Sequence, residues 1–277
     1  MKIHEYNWRS EDGTSFYAWS SVMENPRGLI LLIHGFGDHS HRYEHVAEWM
    51  NKHGYGFMAI DLWGHGRSDG KKGDIPSFRL LLQCVEILVQ KGGSLFPEVP
   101  LVLYGHSLGG TVVLNYCLSA ETKPNAMVVT SPWLQLAFEP SPALRFIAKL
   151  LLRLAPGILI RNPLNSGHLS RNPQIGIDYE NDPFVHRKIT PRAPVIVEEM
   201  GKNVINKSKE ITIPTLLMHG TGDMITSQKA SHELAEKNPD MITYRLWPGC
   251  YHELHNEPEQ TKVLGCITDW LNNKLPS

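Results

Sequence analysis

Apolar and polar positions change their period along the chain in an ordered way. Residues 3–9 and 15–22 alternate loosely, carry Tyr, Trp and Phe, and flank the turn Glu11-Asp-Gly-Thr14, which predicts two strands around that turn. Residues 29–33 (Leu-Ile-Leu-Leu-Ile) are continuously apolar, as expected of a strand covered on both faces. Further strands are predicted at 57–60, 101–104, 126–130, 214–218 and 241–246. Between them, helical spacing appears at 42–53, where Tyr43, Val46, Ala47 and Met50 share a face, and at 77–91 with Ser77 as cap. It recurs at 107–120, 193–207, 227–237 and 258–273.

From residue 29 the order is strand, helix, strand, helix, strand, helix, strand. That alternation predicts an α/β fold with a mostly parallel sheet of eight strands and helices on both faces. It stops between 132 and 192, a stretch rich in Pro, Leu, Phe and Arg, and then resumes. This stretch holds an amphipathic helix over roughly 141–154 and breaks at Asn162-Pro, Asn172-Pro and Asp182-Pro. About sixty such residues make a poor independent core, so they read as a helical cap inserted into one domain. The expected organisation is core over 1–131, cap over 132–192 and core again over 193–277.

Composition narrows the function classes. The chain has 277 residues, 42% of them apolar, enough for one large core. Its net charge is −1, its pI is near 6.9, and it has no basic run, which argues against nucleic acid as a partner. Cys84, Cys117, Cys250 and Cys266 are far apart, and no Cys/His spacing suits a metal. Cys84 and Cys117 fall in apolar helical patterns and read as reduced core residues. No cofactor or metal is expected. The N-terminal residues lack an apolar signal core, and the longest apolar patch, 144–160, is broken by Arg145, Lys149, Arg153 and Pro156. The expected location is cytoplasmic, with peripheral membrane contact through the cap.

Gly105-His-Ser-Leu-Gly109 lies between a predicted strand and a predicted helix. In that setting G-x-S-x-G is a nucleophile elbow, which presents the serine above the sheet with a helix N-terminus beneath it. Serine is a weak nucleophile without a base and a group to orient that base. Elbow folds supply these in the order Ser, Asp or Glu, His. Asp223 follows the strand at 214–218 and His252 follows the strand at 241–246, so both fall at the sheet edge where open α/β folds bind ligands. His34, His219 and His255 compete with His252. His219 directly follows a strand and is expected to bond locally, and His255 is expected near a different face. The oxyanion requires two backbone N–H donors. Leu108 follows the nucleophile, and Phe36 sits in the break His34-Gly-Phe-Gly37. Asp61 and Arg67 read as structural, pinning the Gly-rich loop beside the elbow. His39 and His41 are expected as loop histidines exposed near the mouth.

The chain resembles the α/β-hydrolase superfamily and, within it, the monoacylglycerol lipase and lysophospholipase-like group of serine aminopeptidase-like hydrolases. The resemblance is carried by His34-Gly-Phe-Gly-Asp-His-Ser-His-Arg-Tyr43, Asp61-Leu-Trp-Gly-His-Gly-Arg-Ser-Asp69, Gly105-His-Ser-Leu-Gly-Gly110, Gly220-Thr-Gly-Asp223 and Tyr251-His-Glu-Leu-His-Asn-Glu257. In the cap only Asn181-Asp-Pro-Phe184 is similar. The resemblance implies an esterase acting on a single-chain acyl lipid, foremost monoacylglycerol, with an acyl tunnel under a mobile apolar cap that meets membranes or micelles. Ser107 is then the nucleophile, His252 the base and Asp223 its orienting group. Lysophospholipase, general carboxylesterase, peptidase and C–C hydrolase chemistry stay open on the same scaffold, as does a non-catalytic binding protein. A carboxylate-nucleophile dehalogenase or epoxide hydrolase is disfavoured by Ser107.

Overall fold

In the computed structural model, residues 1–139, 141, 147 and 150–275 are described. Eight strands form the main sheet: β1 (His4–Arg9), β2 (Ser15–Ser21), β3 (Leu29–Ile33), β4 (Gly56–Ile60), β5 (Leu101–His106), β6 (Ala126–Thr130), β9 (Thr215–Gly220) and β10 (Ile242–Trp247). Their order is β1-β2-β4-β3-β5-β6-β9-β10. The β1–β2 and β2–β4 pairs are antiparallel, and every pairing from β4 onward is parallel. This is the mostly parallel sheet expected from the pattern, in the α/β-hydrolase arrangement that the resemblance implies.

The central strands are apolar throughout because both faces are covered. Alternation of side chains sends Leu29, Leu31, Ile33, Leu103 and Val129 to one face, where the helices Phe78–Leu95, Leu108–Ser119, Arg192–Asn206 and Gln228–Glu236 pack. Ile30, Leu32, Val102, Tyr104 and Val128 point to the other, under Glu44–Lys52 and Gln260–Lys274. Ser77 caps its helix as expected, its side chain accepting from the Arg79 N–H at 3.2 Å. Cys84 and Cys117 are buried in the first of these layers.

Between β6 and the helix Arg192–Asn206 the chain leaves the sheet. The short antiparallel pair β7 (Ile160–Arg161) and β8 (Lys188–Ile189) lies here. So does a helix, Pro173–Asn181, that the sequence pattern does not announce. Asn172-Pro173 reads as a break, yet Asn172 accepts from the Gln174 N–H at 3.1 Å and Pro173 starts the helix. A capping Asn followed by Pro at the first helical position is a start signal as much as a stop. The helix expected over 141–154 lies partly outside the described residues; within it, Ile147 and residues 150–154 are helical. Among the described residues no helix is long and apolar enough to cross a membrane.

Polar contacts tie this segment to the core. His39 Nε2 meets Asp182 at 2.8 Å, and the His186 N–H donates to Gly37 O at 3.0 Å. Thr190 Oγ1 and the Arg192 guanidinium both donate to Asp74. Gly37 has φ +77, and a Cβ there would stand 2.8 Å from His186 O, so glycine admits this close approach.

Candidate active site

The C-terminal ends of β3, β5, β9 and β10 converge on one edge of the sheet, and a loop leaves each end with one part of the site. At the end of β5 the chain turns through Ser107 at φ 53° and ψ −117°, then enters the helix Leu108–Ser119. A non-glycine residue there costs about 1–3 kcal/mol and persists because its surroundings hold it. The Ser107 N–H donates to Thr130 O at 3.0 Å, and Ser107 O accepts from Thr111 and Trp133 N–H at 3.2 and 3.0 Å. Gly109 packs against β3 so closely that a Cβ would collide with Ile33 O. The motif's glycine spacing thus has a steric cause.

Asp223 and His252 come together as the sequence order predicts. His252 Nδ1 lies 2.8 Å from Asp223 Oδ2. A carboxylate only accepts, so Nδ1 carries the proton and leaves the Nε2 lone pair free. Asp223 Oδ1 accepts from the Ile225 and Thr226 N–H groups at 2.7 and 3.0 Å. Burial opposes ionisation of Asp223, but the neighbouring His252 and His219 outweigh it and hold the carboxyl well below its usual range. Burial also opposes the imidazolium of His252, and the Asp223 carboxylate reverses that, raising its pKa above the ordinary histidine value. Ser107 and His252 line one cavity of about 760 Å³. Among the described residues the Ser107 hydroxyl makes no hydrogen bond. In unliganded sites such bonds are often long and tighten when substrate binds.

Phe36 and Leu108 also flank the serine. Neither backbone N–H donates a hydrogen bond among the described residues, so both are available to an oxyanion. Asp61 is structural as expected, accepting from Ser40 N–H and Arg67 N–H at 2.8 Å each. The expectation for His39 and His41 is corrected. His39 is 5% exposed and bonded to Asp182, while His41 is bonded to Tyr17 and Glu44. Both are held by partners within the fold rather than offered at the mouth. His255 is fully buried, stacked on Tyr43 with centroids 4.6 Å apart.

Two groups in the site are not evident from the motifs. Arg42 donates to both oxygens of Glu253 at 2.9 Å and to Asp38 at 3.0 Å, fastening the residue after His252 to the loop that carries Phe36. His219, expected to bond locally, bonds to Asp223 itself, with Nε2 3.0 Å from Oδ2. The Asp38/Arg42 spacing of four is visible as a local ion pair, but its junction with Glu253 spans 211 residues.

The family model of the serine aminopeptidase, S33 group (Hydrolase_4) matches residues 24–259. The chain belongs to this family. The hydrolase is 33% identical over 253 residues to a monoacylglycerol lipase of Mycolicibacterium smegmatis, covering 91% of this chain and 90% of that one. To the monoglyceride lipase of Rattus norvegicus it is 30% identical over 258 residues, covering 90% and 84%. The crystal structure of Paleococcus ferrophilus monoacylglycerol lipase superposes with a TM-score of 0.82 at 29% identity, covering 99% of this chain and 100% of that one. Fold and relatives together make the hydrolase an ester hydrolase of the monoacylglycerol lipase-like kind.

Proposed function

We propose that the protein hydrolyses monoacylglycerol to a fatty acid and glycerol through an acyl-enzyme. Ser107 Oγ attacks the ester carbonyl as His252 Nε2 takes its proton. The oxyanion is received by the N–H groups of Phe36 and Leu108. His252 then protonates the departing glycerol oxygen, and water, activated by the same imidazole, releases the fatty acid. Asp223 holds the His252 tautomer throughout.

The observation that carries this reading is the cavity, whose mostly apolar lining includes the catalytic side chains. Ser107, His252 and Asp38 share its wall with Leu136, Leu151, Leu152 and Leu164. A single acyl chain fits such a lining, and its polar side chains suit a small alcohol. Residues 132–192 act as the cap that supplies this apolar wall. A panel of monoacylglycerols of graded chain length, with lysophosphatidylcholine, short esters and aminoacyl substrates, tests the assignment. The highest kcat/KM is expected on a monoacylglycerol, and faster turnover of lysophospholipid or aminoacyl substrate rejects it.

The cap also exposes Phe138, Ile147, Leu150, Leu154, Ile158 and Ile160, with Leu154 71% exposed. Leu151 and Leu152 of the same helical stretch line the cavity. Phe138, Ile147 and Ile160 line it as well, whereas Leu150, Leu154 and Ile158 do not and are free to enter a lipid surface. Replacing both Leu150 and Leu154 by Glu is expected to weaken co-sedimentation with liposomes by about tenfold or more, since each buried leucine contributes about 1.5–3 kcal/mol. Sedimentation equal to the unaltered protein rejects the membrane contact.

A further inference from the structure

Asp223 Oδ2 is shared between two imidazoles, and the Thr226 hydroxyl lies beside both, 3.4 Å from His219 Nε2 and 3.3 Å from His252 Nδ1. His252 Nδ1 reaches it at 2.8 Å from the loop after β10, and His219 Nε2 at 3.0 Å from within β9. The Thr226 hydroxyl is 2.9 Å from the same oxygen and 3.1 Å from Ser131 O, and it has one proton to give. When that proton goes to Ser131 O, the two lone pairs of Oδ2 are met by one imidazole each.

The partners of His219 fix which of its ring nitrogens faces Asp223. Nε2 faces two acceptors, Asp223 Oδ2 and, at 3.3 Å, Thr226 O, so Nε2 bears hydrogen. Nδ1 lies 2.8 Å from Ser231 Oγ on the helix Gln228–Glu236 and accepts from that hydroxyl. His219 and Ser231 are fully buried. Nε2 is thereby a fixed donor to Asp223, while His252 lines the cavity and exchanges protons there.

We propose that His219 is a positioning residue that sets the basicity of Asp223 and, through it, the pH at which His252 becomes a free base. This rests on the Ser107–His252–Asp223 triad. A hydrogen bond donated to a carboxylate oxygen stabilises the anion and draws charge away from its other partners. Without the His219 donor, Oδ2 turns more of its charge on His252 and favours the imidazolium. The base is then freed only at higher pH. The other ionisable groups around His252 are Glu253, Asp38 and the His106 ring, 4.8 Å away, and none of them touches His219.

The test is the pH profile of kcat/KM, whose acid limb reports the base of the free enzyme. In His219→Leu that limb is expected to move up by about half a unit to one unit. In His219→Gln, whose amide can donate to the same oxygen, it is expected to return toward the original position. An unmoved limb in His219→Leu overturns the proposal, whatever happens to kcat or Tm. If His219→Leu does not fold, Ser231→Ala replaces it. That change removes the donor that fixes the tautomer and is expected to produce a smaller upward movement, and no movement again overturns the proposal. Labelling by a fluorophosphonate separates this failure from failure of the triad: an unlabelled Ser107 in the unaltered protein rejects the triad, whereas a labelled Ser107 with an unmoved limb rejects only the role of His219.

Discussion

Replacing Ser107 by Ala is expected to lower kcat on monoacylglycerol by about 10⁴- to 10⁶-fold while leaving the fold intact. The backbone at 107 is held at φ 53° by hydrogen bonds to Thr130, Thr111 and Trp133, and alanine makes the same backbone contacts. Loss of the hydroxyl therefore removes the proposed nucleophile without disturbing the elbow, and the proposed oxyanion donors, Phe36 and Leu108, remain. Fluorophosphonate labelling should vanish together with turnover, and far-UV circular dichroism and Tm should stay close to those of the unaltered protein. Ser131 is the informative control. It too sits at positive φ, 45°, at the end of a neighbouring strand, but its hydroxyl donates to His252 O at 2.8 Å and is already engaged. Ser131→Ala should still label at Ser107. A Ser107→Ala protein keeping more than about one part in a hundred of its turnover would move the nucleophile elsewhere.

The contrast between Ser107 and Ser131 shows what the sequence could disclose. An elbow needs glycine where backbone meets backbone, as at Gly109 against Ile33, so its geometry leaves a local mark. Strand ends are local as well, because continuous apolar runs stop abruptly at the edge. Asp223 and His252 can therefore be placed on the same edge from order alone, and their 2.8 Å contact forms once β9 and β10 pair in parallel. Side-chain partners are different. Nothing near His39 in the chain announces Asp182, 143 residues away, and without that partner a histidine in a polar loop reads as exposed. His219 does bond locally, as its place after a strand suggests, but that its acceptor is the carboxylate bonded to His252 depends on the loop from 220 to 223 turning back on its strand. Asn172-Pro173 misleads for another reason: one dipeptide serves both to end and to begin a helix, and only the residues beyond it decide between the two. The stretch between β6 and the helix Arg192–Asn206 is the least legible part because several of its described apolar residues, Phe138, Ile147 and Ile160 among them, face the cavity and solvent at once.

Loss of Arg42 should have the largest effect on stability. Its guanidinium is 10% exposed and lies between Asp38 and Glu253, whose side chains are 4% and 3% exposed, with the Tyr179 ring 5.0 Å away. Burial by itself would raise the pKa of both carboxyls, but the Arg42 charge holds both below the ordinary range. In the unaltered protein this pairing stabilises the fold above the unfolded carboxyl values of about 4 and fades as pH falls through the lowered folded values. In Arg42→Ala the sign reverses. Two buried carboxylates face each other without a counter-ion, their pKa values rise, and the penalty is full at neutral pH and shrinks as acid protonates them. Breaking such a buried pair costs about 3–5 kcal/mol, a large part of the roughly 5–15 kcal/mol that holds a domain together. Urea unfolding at neutral pH should show that loss, and the gap between variant and unaltered protein should narrow near about pH 4. Adding Glu253→Gln removes one stranded charge and should recover part of the stability. Because Glu253 directly follows His252, the surviving folded enzyme should also lose about 10- to 100-fold in kcat/KM as the base drifts from Ser107. An Arg42→Ala protein within about 1 kcal/mol of the original at neutral pH would mean that the ion pair does not hold the histidine loop. The placement of His252 would then rest on its contacts with Asp223 and Ser131, the Glu253 N–H bond to Leu169 O and the packing of Leu254.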